Sequence, residues 1–338
     1  MSTAMSGFLD YFEKEYHLNK AVGVDDLSVV ARFAVLLGLL RFLLFSAYHR
    51  TLRKFPGLAG YALQVLVPTL PTPPGKEATP AAIERQRARL TENIWYSMWH
   101  TFSFSFGVYV LVQQSWWRGV IVERKPELLY VDWQTHEFDA WMRLYYQVEL
   151  AFWITCLVYH GFQSIQKDFL EMLLHHLVTI YLILVSGIVG FTRCGICVLV
   201  FHDIADVFLY SAKAADKAGV KPRVVVDVLF GLFVVAFFVG RMIMYPGYVV
   251  VPAYIYAVSQ EYWFAMPQFK DVKYSMKLGD PGTLCLPIAM TILLGVHCYW
   301  WALICKMIWK TVQNGSVTEE GDIRSDDESE EVEPKKSK

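Results

Sequence analysis

Charged residues are scarce in this sequence. They make up 19% of its 338 residues, whereas hydrophobic residues make up 55% and aromatic residues 15%. Soluble globular domains usually carry about 25% charged residues. The net charge is −1, so no basic surface indicates a nucleic-acid partner. Scarce charge combined with long apolar runs predicts an all-α integral membrane protein.

The motifs of several familiar catalytic sites are also missing. The sequence contains no H-E-x-x-H, no G-x-S-x-G and no H-x-x-H-H. Nothing therefore indicates a zincin, a hydrolase with a nucleophile elbow or a di-iron lipid oxidase. Cys194 and Cys197 form a C-x-x-C, but no second pair completes a zinc site. We expect no metal and no bound cofactor, although two histidines and two aspartates leave zinc hydrolysis as an alternative.

The N-terminus lacks a basic region followed by an apolar core, so we do not expect a cleaved signal peptide. Seven stretches instead approach the roughly 20 apolar residues that cross a bilayer. The predicted transmembrane stretches are 27–48, 94–114, 143–161, 170–189, 194–212, 224–244 and 285–309.

The distribution of basic residues predicts the orientation. With the N-terminus outside, the cytosolic segments carry 17 lysines and arginines and the lumenal segments carry nine. The positive-inside rule therefore favours a lumenal N-terminus and a cytosolic C-terminus. The predicted divisions are a lumenal N-terminus (1–26), a first transmembrane helix (27–48), a cytosolic loop (49–89), a six-helix domain (90–310) and a cytosolic acidic disordered tail (311–338).

The tail and the last lumenal loop carry signals of their own. Ser325 and Ser329 precede acidic residues and resemble acid-directed kinase sites, with an inert solubilising tail as the alternative. The terminal "KKSK" resembles a retrieval signal for the endoplasmic reticulum. Residues 245–284 are aromatic and broken by prolines, so we predict an interfacial or re-entrant loop there. Arg143 and Arg241 are expected to anchor lumenal helix ends.

Five ionisable residues are expected to meet inside the membrane, where such groups are costly and indicate function. His175 and His176 lie in the fourth stretch, and His202, Asp203 and Asp206 lie in the fifth. A short connection makes these stretches an antiparallel hairpin, which places the five at similar depth. Of the nine histidines in the chain, only three are expected deep in this site. A histidine beside a carboxylate supports general base catalysis.

Adjacent helical residues point about 100° apart, so one of the two neighbouring histidines is expected to face the site and the other to anchor it. Acyl transfer needs a base or a transiently acylated histidine, together with an apolar cavity. This chemistry fits a site buried among apolar helices near the cytosol.

The stretch "KDFLEMLLHHLVTIYLILVSG" followed by "HDIADVFLYSAKAAD" resembles the signature of TLC-domain membrane proteins, and within it the longevity-assurance motif of ceramide synthases. The resemblance implies six helices in a ring around a central lipid cavity, with the first helix outside. It implies an endoplasmic-reticulum enzyme that joins a fatty acyl-CoA to the amine of a sphingoid base. The essential pair maps onto His175 and His176, and the motif aspartates onto Asp203 and Asp206.

The resemblance also suggests residues that contact substrate. We expect this role for Glu149, Thr179, Ser186 and Lys213, with His202 in the catalytic group. Residues 49–93 are too short for the homeobox-like insert that several relatives carry.

The expected partners are fatty acyl-CoA, which is a co-substrate, a sphingoid base and membrane lipids. A homodimer or heterodimer stays open. Two mechanisms also stay open, in which a histidine either accepts the acyl group or only removes the amine proton. The alternative function is a non-catalytic TLC-domain protein that binds, senses or transfers lipid.

Overall fold

A computed structural model describes residues 24–44, 80–131, 136, 138–162, 168–259 and 281–314. Ser325, Ser329 and the predicted tail beyond residue 314 lie outside this part of the chain. The described residues are helical without any strand, as the composition predicts. The segments are α1 (Val24–Leu44), α2 (Pro80–Gln113), α3 (Trp117–Ile121), a 3₁₀ turn (Pro126–Leu129), α4 (Ala140–Phe162), α5 (Phe169–Val189), α6 (Thr192–Ala218), α7 (Val224–Phe237), a π-helical segment (Phe238–Val250), α8 (Val251–Ser259) and α9 (Pro281–Asn314).

The seven predicted transmembrane stretches all overlap these helices; 27–48 extends past the described end of α1, and 224–244 covers α7 and part of the π-helical segment. Four helical spans are long and apolar enough to cross a membrane: Phe169–Ile188, Thr192–Ala218, Val224–Ile255 and Leu286–Lys310. The protein is therefore an all-α membrane protein, and the number of seven crossings stays a prediction.

The long helices follow one another through their contacts. Helix α2 packs against α4, α4 against α5, and α5 against α9. Helix α9 packs against the π-helical segment. That segment and α7 pack against α6, and α6 packs against α2. Helix α1 packs against α4. These contacts are compatible with six helices around a centre and a seventh outside, although the ring itself stays a prediction.

Helices α5 and α6 are joined by a very short turn. Helix α5 ends at Gly190, which has a left-handed backbone with φ of 101° and whose N–H donates to the Ser186 carbonyl at 2.9 Å. Glycine adopts this conformation without the strain that a Cβ would add. Helix α6 begins at Thr192, so the predicted close connection between the two polar stretches is present.

The region after Phe237 corrects one prediction. The chain does not leave the helix at residue 245, because the π-helical segment runs to Val250 and α8 continues to Ser259. Pro246 lies inside the π-helical segment. Proline disrupts an ordinary α-helix because it lacks an N–H and its ring meets the preceding turn, and a locally wider turn is a recognised way to absorb such an insertion. The predicted loop is thus wrong for residues 245–259, and residues 260–280 lie outside the described chain.

Helix α1 is held to α4 by polar contacts near its first turn. Asp26 accepts hydrogen bonds from Arg143 Nη1 at 2.9 Å and from Gln147 Nε2 at 2.7 Å. Arg143, which the sequence suggested as a lumenal anchor, therefore forms an ion pair with the first helix.

The last turn of α1 carries a positive charge, that of Arg41. Arg41 is 2% exposed, donates to Glu92 Oε1 at 3.0 Å, and stacks over the rings of Tyr96 at 4.9 Å and Tyr159 at 4.1 Å. The Tyr159 hydroxyl also donates to the Gly38 carbonyl at 3.0 Å. The charges of α1 are thus matched by α2 and α4 at both ends of the helix.

Candidate functional site

A cavity lies between α4, α5, α6, the π-helical segment and α9. It encloses about 650 Å³ of space not occupied by atoms, including its open mouth. Most of its wall is apolar. Its polar and ionisable lining residues are Tyr146, Trp153, His175, Thr179, Ser186, Cys194, His202, Asp203, Asp206 and Arg241.

The two neighbouring histidines of α5 have different surroundings. His175 lines the cavity, and its Nδ1 is buried without a hydrogen-bond partner among the described residues. Its ring meets the edges of Trp153 and Trp300, with centroids 5.3 and 5.1 Å away. His176 is absent from the cavity wall; its Nδ1 donates to the Met172 carbonyl at 2.6 Å. This arrangement has the form that the 100° offset predicts, with one histidine facing the cavity and one held by the helix.

His202 on α6 presents a nitrogen lone pair. Its Nδ1 lies 2.5 Å from the Val198 carbonyl. Because a carbonyl can only accept, Nδ1 carries the hydrogen and the neutral ring keeps Nε2 as an acceptor. Nε2 is buried without a partner in the described part of the chain, and His202 lines the cavity. A base is therefore oriented beside the space that a ligand would fill.

Asp203 lines the cavity and also faces α2. Its Oδ1 is 3.0 Å from His100 Nδ1, and its Oδ2 contacts the Ser103 hydroxyl closely. Ser103 Oγ lies 2.6 Å from Glu149 Oε1. On the side away from the cavity, Asp203 is thus held by a set of polar side chains that connects α2, α4 and α6.

Asp206 forms an ion pair with Arg241, which was predicted to lie at a lumenal helix end. Arg241 donates to Asp206 Oδ2 at 2.5 Å and to the His202 carbonyl at 3.0 Å. Arg241 is 4% exposed and lines the cavity. The prediction that it anchors a lumenal helix end is wrong, because the helix continues past residue 245 and turns this side chain inward.

Donor atoms of His100, Asp203 and Asp206 lie within 4.8 Å of one another, a spacing that could suit a metal ion. These groups already satisfy each other: His100 contacts Asp203, and the Arg241 guanidinium binds Asp206. A divalent cation would compete with the guanidinium for the same carboxylate. The donor set therefore gives an ion pair rather than a built cation site, and the expectation of no metal stays a prediction.

The four predicted substrate contacts divide into two groups. Thr179 and Ser186 line the cavity, and Thr179 Oγ1 is buried without a partner among the described residues. Glu149 is buried but lies behind Asp203, outside the cavity wall. Lys213 is also absent from the wall and lies seven residues beyond Asp206, about 10 Å along α6 toward its C-terminal end.

Sequence reasoning missed four residues of this region. His100, Ser103 and His297 are buried polar residues in apolar helices, and Arg241 was assigned another role. His297 packs against His202 with ring centroids 4.7 Å apart. The expectation of only three deep histidines was therefore wrong. A lone histidine or serine within an apolar stretch was the available signal.

The sequence matches the TLC domain over residues 89–306. The chain therefore belongs to the TLC-domain family.

Three curated relatives that the chain matches are named ceramide synthases. The chain is 26% identical to "Ceramide synthase hyl-1" of Caenorhabditis elegans, over 73% of this chain and 62% of that protein. It is 29% identical to "Ceramide synthase LOH2" of Arabidopsis thaliana, over 73% of this chain and 77% of that protein. It is 28% identical to "Ceramide synthase 4" of Mus musculus, over 70% of this chain and 54% of that protein. The match thus spans between about half and three quarters of the length of these relatives.

Proposed function

We propose that this chain is a ceramide synthase that transfers the acyl group of a fatty acyl-CoA to the amine of a sphingoid base. The names of its relatives and its family support this assignment. The observation that carries it is His175, a buried histidine whose Nδ1 has no partner among the described residues and which faces an apolar cavity. The same wall presents the oriented acceptor of His202 and the carboxylate of Asp203.

Two routes lead to the same products. In the first, a ring nitrogen of His175 attacks the thioester carbonyl, the C–S bond breaks, and coenzyme A leaves as a thiolate that takes up a proton. The amine then attacks the acyl-imidazole, the amide C–N bond forms, the bond between the acyl carbon and His175 breaks, and the amine proton passes to His202 Nε2. In the second, His175 removes the amine proton while the amine attacks the thioester directly, the C–S bond breaks, and the leaving thiolate takes up that proton from His175. Both routes give one amide and one free thiol.

The other residues of the wall have roles in this proposal. Asp203 attracts the ammonium form of the sphingoid base, and His202 Nε2 accepts a proton from the amine. Thr179 and Ser186 contact the substrate through their hydroxyl groups. Lys213, farther along α6, holds a phosphate of coenzyme A.

The cellular setting belongs to the same proposal. The basic-residue distribution supports a lumenal N-terminus, a cytosolic C-terminus and entry of acyl-CoA from the cytosolic side. We place the protein in the membrane of the endoplasmic reticulum, with six helices around the lipid site.

The test uses purified wild type and the separate His175→Ala and His176→Ala variants. Each receives sphinganine with acyl-CoA of several chain lengths, and mass spectrometry measures the amide product and any acyl adduct on the intact protein. Wild-type product that disappears in His175→Ala supports the proposal. An adduct lost only in His175→Ala selects the first route, and product formation without an adduct selects the second.

Folded wild type that forms no product with any chain length would contradict the proposal and favour a non-catalytic lipid-binding protein. Dialysis against a chelator is expected to leave the activity unchanged, since Arg241 already neutralises Asp206. Loss of activity that an added divalent metal restores would show that the donor atoms of His100, Asp203 and Asp206 hold an ion.

A further inference from the structure

One serine hydroxyl lies between two buried carboxyl groups. Ser103 Oγ is 2.6 Å from Glu149 Oε1 and in even closer contact with Asp203 Oδ2. The exposed fractions of Ser103, Glu149 and Asp203 are 0%, 1% and 2%. The three side chains come from α2, α4 and α6, so this contact joins three helices behind the cavity wall.

The number of hydrogens in this contact is fixed by geometry. Two short oxygen–oxygen contacts need two bridging hydrogens, and the Ser103 hydroxyl supplies one. Two ionised carboxylates would leave one contact between two acceptors, which repel each other in a site closed to water. The second hydrogen therefore belongs to a carboxyl group.

The surroundings of the two carboxyl groups differ. The other oxygen of Asp203, Oδ1, lies 3.0 Å from His100 Nδ1, which can donate to it, and the His100 ring is held in place by stacking on Tyr210 with centroids 5.6 Å apart. Asp203 also lies one helical turn from the Arg241–Asp206 ion pair. Glu149 has no ion pair in the described part of the chain. Asp203 is therefore the better-supported anion.

The second oxygen of Glu149 supports the same assignment. Glu149 Oε2 is buried without a hydrogen-bond partner among the described residues. The Tyr145 hydroxyl is likewise buried without a hydrogen-bond partner among the described residues. An ionised carboxylate buried to this degree would need several donors to replace water.

We propose that Glu149 is a protonated side chain that donates to Ser103, which in turn donates to Asp203 and holds it as a carboxylate at the cavity wall. Glu149 is thus a positioning residue that acts through Ser103, instead of the substrate contact that the sequence suggested. The protonation state is independent of the reaction, whereas the positioning role rests on the proposed acyl transfer.

The first experiment detects the proton directly. Infrared difference spectra of the purified wild type and the Glu149→Gln variant are compared near neutral pH, in H₂O and in D₂O. We expect a carboxylic-acid C=O band in the wild type that Glu149→Gln removes. A band that persists in Glu149→Gln and disappears in Asp203→Asn, or no such band in the wild type, would overturn the proposal.

The second experiment tests positioning by rescue. Glutamine keeps an N–H that can donate to Ser103, whereas alanine removes the donor. We expect Glu149→Ala to lower kcat about tenfold with little change in KM, and Glu149→Gln to lower it about threefold or less. Equal losses in the two variants would overturn the positioning role while leaving the infrared result to stand or fall separately.

Ser103 offers a matched control on its own helix. Ser105 lies two residues on, is exposed, and donates to the Thr101 carbonyl at 2.7 Å. We expect Ser103→Ala to lower kcat as Glu149→Ala does and Ser105→Ala to have no effect. Infrared spectra need no activity, so an inactive wild type with the expected band would fail the proposed function but not the protonation assignment.

Discussion

The first helix and the central cavity both bury charged or titratable groups, but they treat them differently. At the interface of α1 with α2 and α4, Asp26 is matched by Arg143, and Arg41 is matched by Glu92. In the cavity, His175 Nδ1 has no hydrogen-bond partner among the described residues. The same is true of Thr179 Oγ1 and His202 Nε2.

This contrast separates polar groups that hold the fold from those that are available to a ligand. Leaving a buried donor or acceptor unpaired costs about 1–3 kcal/mol. The charges of Asp26 and Arg41 are paired across the α1 interface, although Arg41 Nη1 itself has no hydrogen-bond partner among the described residues. Three unpaired groups share the wall of the cavity. Unpaired groups that share one wall are therefore the better candidates for chemistry, and the paired groups for stability.

The largest expected effect comes from the cavity. His175→Ala should lower acyl transfer about 10³-fold, which is the scale of a lost general base or nucleophile. Its effect on thermal stability should be small, since no hydrogen bond of Nδ1 is lost. Rate measurements beside a Tm measurement separate the two effects. A variant that loses Tm and activity together would contradict the contrast.

At the first helix we expect the reverse result, a loss of stability while activity is retained. Arg41→Leu leaves the Glu92 carboxylate facing an apolar side chain and removes the stacking on Tyr96 and Tyr159, so it should destabilise the protein by about 1–3 kcal/mol. Activity per folded molecule should be retained, because Arg41 does not contribute to the cavity wall.

A second substitution serves as the control for Arg41. Glu92→Gln in the Arg41→Leu background removes the carboxylate charge that Arg41 had balanced and should recover part of the lost stability, as measured in a double-mutant cycle. Additive losses would mean that Arg41 and Glu92 act independently.

An effect of comparable size is expected from the contact between the π-helical segment and α6. At Gly240, an added Cβ would lie 2.3 Å from the Phe201 carbonyl oxygen, which is rigid helix backbone. Gly240→Ala should push the π-helical segment away from α6 and cost about 1–3 kcal/mol. Gly231, on α7, has nothing within 4 Å of such a Cβ, so Gly231→Ala is the matched control. Equal stability of the two variants in chemical denaturation would show that the backbone of α6 shifts at little cost in free energy.

The smallest effect is expected outside the membrane. Lys125 Nζ donates to Glu123 Oε2 at 2.7 Å, and this hydrogen bond and the ammonium charge lower the pKa of the Glu123 carboxyl. A lowered carboxyl pKa adds stability above the unfolded-state pKa, and this is lost as the pH falls through the folded-state pKa. Water screens this exposed pair, so Lys125→Ala should leave Tm unchanged at neutral and acidic pH. A pH-dependent drop in Tm would show that the pair stabilises the loop.

The helices and the polar hairpin could be predicted from local pattern. Apolar length located the helices, and the turn around Gly190 brings α5 and α6 together as a short connection requires. The different orientations of His175 and His176 follow from the angle between adjacent helical residues.

The partners of Asp203 could not be predicted in this way. His100 and Ser103 are 103 and 100 residues from Asp203, so no periodicity connects them. Arg241 was misplaced for a different reason. Proline and aromatic residues suggested a loop after residue 245, but a π-helical segment accommodates Pro246 and keeps the helix going.

The pairing of α1 also has a consequence for how the chain is made. Glu92 follows Arg41 by 51 residues, and Arg143 follows Asp26 by 117. At about 5–20 residues per second, Arg41 is synthesised roughly 3–10 s before its partner, and Asp26 roughly 6–23 s before its own. Each charge at a helix centre costs up to about 3 kcal/mol during insertion, and less toward the helix ends. The ion pairs that hold the first helix can therefore form only after α2 and α4 have been synthesised, so its final docking waits for α4.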